Sequence, residues 1–280
     1  VRKVREPISA SRVIITVIMF LISLMFLLPF IWMLSTSFKL ETDVFKYPIE
    51  WIPTRWHAIE NYKEIWLGAN PFYLYYWNSI KVSVITTLIS CIVSALAAYG
   101  FSKIDFPAGK WLFLIVLATY MVPSQAMLVP QFILYRNIGL FDSHMGLIFL
   151  GCFSVLGTFM LRQFFMGLHN EYIESAKIDG AGHGRIFWQI ALPLVRPAVA
   201  TYAILRFIWT WNDYQNPLIF LRTDKLYTIP LAIQKFASIN GEFYSLIMAC
   251  AVSAIFPLLI MFIIGQKSVI EGIALGGVKG

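Results

Sequence analysis

Charge is scarce in this chain: Asp, Glu, Lys and Arg together make up 13% of its 280 residues. Soluble domains carry about 25%, so a surface built to face water on all sides is excluded. Cysteine is sparse as well. Cys91, Cys152 and Cys250 are odd in number, scattered and each set inside an apolar run. That excludes a disulfide framework or a thiolate zinc site and leaves them as small buried hydrophobes. No G-x-x-x-x-G-K-[ST] loop is present to cradle phosphates, so the chain is not expected to hydrolyse ATP itself. His57, His144, His169 and His183 fall in separate loops without zincin spacing, and no Ser/His or His/Asp pair shares a helix face. Catalysis, a metal site and a bound cofactor are therefore not expected. Strict period-two alternation is missing too, which argues against a β-barrel.

Apolar residues are plentiful: 59% of the chain is hydrophobic and the mean hydropathy is +0.71. A helix needs about 20 such residues to cross a bilayer core. Six segments qualify, about Val13–Ser35, Trp77–Phe101, Trp111–Tyr135, Met145–Phe165, Pro197–Leu221 and Tyr244–Ile264. They predict an all-α membrane protein with six transmembrane helices in one domain, kinked at Pro29, Pro123, Pro130, Pro217 and Pro257. Arg2, Lys3, Arg5 and Arg12 before the first run have the polarity of a secretory signal. The run continues past Phe30 with no small-x-small cleavage site, so it reads as a retained span.

The net charge of +7 is explained by loops beside membrane spans rather than by nucleic acid. Twelve lysines and arginines fall on one side of the spans. Eight fall on the other, partly neutralised by Glu41, Asp43, Glu50, Glu60 and Glu64. The positive-inside rule then puts both termini in the cytoplasm, together with the polar segment between the fourth and fifth spans. On the outside, Lys39–Tyr76 is rich in Trp, Tyr and Pro. It reads either as an interfacial segment or as a docking surface for an external partner.

The polar island Glu174-Ser175-Ala176-Lys177-Ile178-Asp179-Gly180-Ala181-Gly182, followed by Ile190-Ala191-Leu192-Pro193, is the most distinctive stretch. Glu171, Glu174 and Asp179 suit helix starts, and Gly180, Gly182 and Gly184 break the path. Two short helices joined at glycine would form a knob, with Ile173, Ala176, Ile178, Phe187 and Ile190 as its apolar contacts. A passive amphipathic helix lying on the membrane face fits the same pattern. In the fifth span Trp209, Asn212, Asp213 and Asn216 recur at helical spacing, seven residues from Arg206 to Asp213. Intramembrane charge faces a protein interior or a water-filled path. With Tyr120, Gln125 and Gln131 of the third span, the stripe is either the lining of a polar pathway or interhelical hydrogen bonding.

Leu161-Arg162-Gln163-Phe164-Phe165, the run from Glu171 to Ala181 and Ile190-Ala191-Leu192-Pro193-Leu194-Val195-Arg196-Pro197-Ala198 together resemble the signature of binding-protein-dependent permeases for sugars. Met121-Val122-Pro123-Ser124-Gln125 with Val129-Pro130, Trp209-Thr210-Trp211-Asn212-Asp213-Tyr214 with Pro217-Leu218, and the terminal Gly277-Val278-Lys279-Gly280 are similar to the maltose-transporter G-subunit type. Ser175 departs from the alanine common in the family, a small-for-small change. The resemblance implies a type I ABC importer permease in a bacterial inner membrane, importing a di- or oligosaccharide by alternating access. Its coupling-helix loop would be residues 166–196, and its cytoplasmic tail 265–280. It implies pairing with a second homologous permease as a heterodimer, two ATPase subunits that hold ATP and Mg, and an external solute-binding protein. Glu171, Glu174, Ser175, Ala176, Asp179, Gly180, Ala181, Gly182, Leu192 and Pro193 would couple to the ATPase, and Gly277, Val278, Lys279 and Gly280 would touch it. A self-contained ion-coupled carrier leaning on Asp213 is the other function considered; the lack of a detectable inverted repeat counts against it.

Overall fold

The computed structural model describes residues 10–239 and 243–277; Arg2, Lys3, Arg5, Val278, Lys279 and Gly280 lie outside them. The described residues form helices and contain no strand. In chain order the helices are α1 (Ala10–Ser37), α2 (Ala58–Leu67), α3 (Phe72–Lys103), α4 (Gly109–Tyr120), α5 (Ser124–Asn137), α6 (His144–Cys152) and α7 (Val155–Met166). There follow α8 (Asn170–Ile178), α9 (His183–Leu194), α10 (Arg196–Trp211), α11 (Gln215–Phe220), α12 (Ile229–Ile239) and α13 (Tyr244–Gly277).

Among the described residues α1, α3 and the Tyr244–Gln266 part of α13 are long and apolar enough to cross a membrane as single helices. Three further stretches qualify only as bent pairs: α4 and α5 meet at 97°, α6 and α7 at 40°, and α9 and α10 at 79°. The continuous helix expected at Trp111–Tyr135 is thus two, because Pro123 has no N–H to continue α4 and its extended φ/ψ turns the chain. The break between α6 and α7 has no proline. There Ser154 starts the new helix, its Oγ accepting from the Gly157 amide at 3.0 Å. The expected fifth span is interrupted as well, since α10 ends at Trp211 and α11 begins at Gln215.

The chain divides into two compact units. In the larger, Phe72–Gln234 with Ala254–Gly280, α3 is patterned inside out. Trp77, Val84, Ile85, Leu88, Ile92 and Leu96 are exposed, while Ser79, Ser83, Thr86, Ser90, Ser94, Ala95 and Ala98 are buried. Lipid solvates leucine as well as protein does, so small residues that let backbones approach take the inner face. Ser90 Oγ and Tyr202 Oη lie 2.7 Å apart where α3 meets α10. A Cβ on Gly157 of α7 would overlap the Tyr202 ring, so the glycine sets how closely α7 and α10 approach. A cluster of Tyr99, Leu161, Phe165, Ile173, Ile186, Phe187 and Tyr202 then continues this core into α8 and α9.

The smaller unit is Val1–Pro71 with Lys235–Ser253. The membrane-spanning part of α1 buries nothing against the chain itself, whereas its last residues Ser35, Thr36 and Ser37 are covered by the Trp-rich loop. Ser35 Oγ donates to the Trp51 carbonyl at 2.6 Å, and Asn61 Nδ2 donates to the carbonyls of Ser37 and Lys39 at 3.0 and 2.8 Å. Arg55 donates twice to Asp43, at 3.0 and 2.6 Å. Lys39 is 1% exposed, with Nζ 4.3 Å from the Trp32 ring centroid. Burial pushes its ammonium down, against the upward pull of Glu50 and Asp43. The Glu41 carboxylate accepts from the Tyr244 and Ser245 amides at 3.0 and 2.9 Å, closing the start of α13.

Gly157→Ala is expected to destabilise the detergent-solubilised protein by about 1–3 kcal/mol through overpacking, seen as a lower thermal midpoint. Gly100→Ala, where an added Cβ meets nothing within 4 Å, should leave it unchanged. Arg55 holds the Asp43 carboxyl below the usual carboxylate range, chiefly by hydrogen bonding. The pair's contribution to the loop is therefore fully present above the unfolded pKa of about 3.9. It is lost as pH falls through the lower folded value, so amide exchange over 41–57 should show no Asp43-linked change from pH 7 to 5 and should accelerate in acid.

Candidate functional site

The island folds as a knob built on the larger unit. α8 ends in two hydrogen bonds that define its turn, from the Ala181 amide to the Ala176 carbonyl at 2.9 Å and from the Gly180 amide to the Lys177 carbonyl at 3.0 Å. This pattern needs a left-handed residue just past the helix, and Gly180 supplies it at φ +79°. Gly182 then leads into α9 at an ordinary φ of −73°. Within α9, Pro193 has no amide to give, and residues Phe187–Ala191 widen into a π-turn in which the Leu192 amide bonds back to the Phe187 carbonyl. A second proline, Pro197, stands in the first turn of α10 after the 79° bend.

Burial sorts the island's residues by direction. Ile173, Ala176, Ile186, Phe187 and Ala191 are buried in the chain's own core, and Ala181, Ile190 and Leu192 pack against it. Ala176 therefore serves close approach within the chain, not toward an outside surface. Glu171, Glu174, Ser175, Asp179, Gly180, Gly182 and Pro193 are exposed. Tyr172, Ile178 and Trp188 are exposed apolar neighbours, with Ile178 at 87%. No described residue forms a salt bridge with Glu171, Glu174 or Asp179. The knob thus presents three carboxylates and three large apolar side chains outward from a rigid base. Gly277 is the last residue of α13.

Two of the cavities in the larger unit are lined by Arg206 and Trp209. The first, of about 300 Å³, is lined by Arg206, Trp209, Thr210, Asp213, Asn216, Thr86, Thr228 and neighbours. The second, of about 630 Å³, lies at the break between α4 and α5, where Tyr120 meets Trp209 and Arg206. Trp209, Asp213, Asn216 and Tyr120 are thus found on cavity walls, whereas Gln125, Gln131 and Asn212 line neither. Asn212 follows the end of α10 at Trp211, and its Nδ2 turns back to the Ile208 carbonyl at 2.9 Å. Asp213 is a helix starter, its two oxygens accepting from the Asn216 amide at 3.1 Å and Asn216 Nδ2 at 2.7 Å. Arg206 belongs to both cavities. Its Nη2 donates to the Gly151 carbonyl at 2.7 Å, in the last turn of α6, and a Cβ on Gly151 would occupy the guanidinium's place. The intramembrane charge of Arg206 was readable from sequence; its partner, 55 residues away, was not.

Residues 90–269 match the model of the family described as binding-protein-dependent transport system inner membrane component. The chain belongs to that family. This permease is 31% identical over 273 residues to the arabinooligosaccharides transport system permease protein AraQ of Bacillus subtilis, covering 97% of each chain. It is 29% identical to the melibiose/raffinose/stachyose import permease protein MelC of the same organism, covering 99% of this chain and 100% of the relative. A chain in the crystal structure of a bacterial ABC transporter that imports the acidic polysaccharide alginate shares the fold, with a TM-score of 0.83 at 23% identity. That match covers 94% of this chain and 99% of the other. The membership agrees with the resemblance read from the island and its flanks, and with a multi-pass membrane protein.

Left-handed φ costs a non-glycine residue about 1–2 kcal/mol, so Gly180→Ala should loosen the α8 end by about 1 kcal/mol. The readout is faster amide exchange over 170–182 with the global melting point nearly unchanged. Gly182→Ala is the control: its φ is ordinary and its surroundings are open, so it should be silent.

Proposed function

We propose that this chain is the membrane half-channel of an ATP-driven importer that takes a sugar, of di- or oligosaccharide size, from an external binding protein and releases it into the cytoplasm by alternating access. The observation that carries the reading is the knob. Its outward face combines Glu171, Glu174 and Asp179 with Tyr172, Ile178 and Trp188, while its inner face is continuous with the chain's core. That is the form of a lever with a docking end, which a passive surface helix does not need. An ATPase groove with basic residues opposite Glu174 is the partner it fits, and a transporter of this class uses two such subunits, which carry ATP and Mg. A second, homologous permease completes the channel, and both termini and the knob lie in the cytoplasm on the loop-charge argument. Gly277, Val278, Lys279 and Gly280 form the further contact with the ATPase.

The sugar class is supported by the oligosaccharide permeases to which the chain is similar along its whole length. Chemistry in the cavities supports it too: the Trp209 ring offers a platform for C–H faces, and Arg206, Asp213 and Asn216 offer donors and acceptors for hydroxyls. An ion-coupled carrier would lean on Asp213, whose carboxylate is instead taken up by the Asn216 amide and side chain where α11 begins.

Glu174→Lys reverses the charge at the docking end, and the lost charged contact should weaken ATPase association roughly tenfold or more. Deleting 171–182 should abolish it. Copurification of the ATPase and uptake of radiolabelled oligosaccharide report the result; wild-type assembly and uptake in both variants would sink the coupling assignment.

A further inference from the structure

Beneath the knob lies the apolar core shared with α7 and α10, and among the described residues the side-chain hydrogen bonds between the knob and the rest of the larger unit come from the C-terminal end of α3. Lys103 Nζ donates to the Leu168 carbonyl at 2.7 Å, in the turn between α7 and α8, and to Asn170 Oδ1 at 2.7 Å, at the first residue of α8. Four residues earlier, Tyr99 Oη lies 3.2 Å from Nδ1 of His183, the first residue of α9. The Tyr99 ring also meets Phe187 edge-on at 5.4 Å and Phe165 at 5.8 Å. Arg162 of α7 donates to the Phe101 carbonyl at 3.1 Å, holding the same helix end from behind. The starts of both knob helices are thus each tied to α3 by a directional polar contact, over an apolar core that alone would allow sliding.

We propose that α3 receives the knob's movement and carries it to the translocation cavity, with Lys103 as the positioning residue that makes the connection and Tyr99 as the second attachment. This rests on the coupling role proposed for the knob. The covalent route from knob to cavity runs through the π-turn and the 79° bend between α9 and α10, a joint that absorbs displacement. α3 is a single helix of 32 residues with no proline. Thr86, which lines the smaller cavity together with Val82, lies about 26 Å along α3 from Lys103 at 1.5 Å per residue. Its far end is held as well: Asn78 Nδ2 donates to the carbonyls of Lys225 and Tyr227 at 2.8 and 3.0 Å, and Ser79 Oγ accepts from the Ile229 amide at 2.8 Å. A rod fixed at the knob, bordering the cavity and gripping the segment before α12 moves these three places together.

The test uses the complete transporter, coexpressed with its partner permease and ATPases, with native cysteines replaced and Thr210→Cys placed on the cavity wall. Labelling by a membrane-impermeant maleimide is measured in proteoliposomes with no nucleotide and after trapping with ATP and vanadate. Lys103→Met should keep ATPase copurification and basal hydrolysis. It should cut the nucleotide-dependent change in labelling about tenfold, the shift expected from losing one charged hydrogen-bonding group. Lys103→Arg should restore it, and Tyr99→Phe should fall between. Where Lys103→Met does not assemble, Asn170→Ala removes one of the two acceptors and should give a smaller loss of the same kind. An unchanged labelling response in Lys103→Met, or in Asn170→Ala where that variant stands in, overturns the α3 route while leaving the knob's coupling role intact. Loss of ATPase binding that Lys103→Arg rescues would show a docking residue, and overturns it too. If the unmutated knob gives no nucleotide response, or Glu174→Lys leaves the response unaltered, the coupling reading fails and this proposal falls with it.

Discussion

Inside a bilayer a helix that stops must find hydrogen-bond partners within the protein, because lipid supplies none and each unsatisfied backbone group costs several kcal/mol. This permease stops its helices often, and the partners it recruits at those stops set its geometry. Ser154 takes the Gly157 amide where α7 begins, and Asp213 takes the Asn216 amide where α11 begins. Arg206 takes the Gly151 carbonyl where α6 is ending. Glu41 and Ser79 reach across long sequence separations to the first amides of α13 and α12. The breaks are also where the cavities open, at the α4–α5 corner and between α10 and α11. Polar residues that read as a pathway stripe are thus in part the devices that hold the helix ends where the cavities open.

The same solvent explains why hydrophobic periodicity was a poor guide to what packs against what. Along the middle of α3, Val84, Ile85, Leu88, Ile92 and Leu96 face outward and a run of serines, threonines and alanines faces inward, while Phe72, Tyr75 and Tyr99 are buried toward its two ends. In water such a helix would read backwards; in lipid the gain comes from close backbone approach and short polar contacts. Ser90 with Tyr202, and Gly157 beneath the Tyr202 ring, are the same principle at one crossing of three helices.

Run length and composition made the helical class and the positions of six apolar stretches legible, and Pro123 marked the corner between α4 and α5. The α6–α7 break left no such mark, since its only signal is a serine three residues before a glycine in an apolar run. In the fifth stretch a uniform helical spacing was assumed past Trp211, and it placed Asn212 on a wall that the structure assigns to Asp213 and Asn216. Gly180 was legible as a break, and its left-handed φ gives the reason. The direction of Ala176 was not, because whether a small residue serves an inner or outer contact depends on a core assembled from α3, α7 and α9.

What sequence could least reveal is the arrangement of attachments around the knob. By its local sequence Lys103 is one more positive charge beside a membrane span, with bearing on orientation alone. Its two acceptors lie 65 and 67 residues away, and no local pattern distinguishes it from Lys110, beyond the end of α3. The physical difference is position at a helix end: there the negative dipole favours a cation, and the ammonium reaches the Leu168 carbonyl in the turn after α7 and the side chain that opens α8. A cation in that place joins two elements without the cost of a buried ion pair, since both acceptors are oxygens without full charge and the ammonium stays partly in water. A joint of that kind is stiff in direction and cheap to maintain, which suits a part that must move as one body with its neighbour.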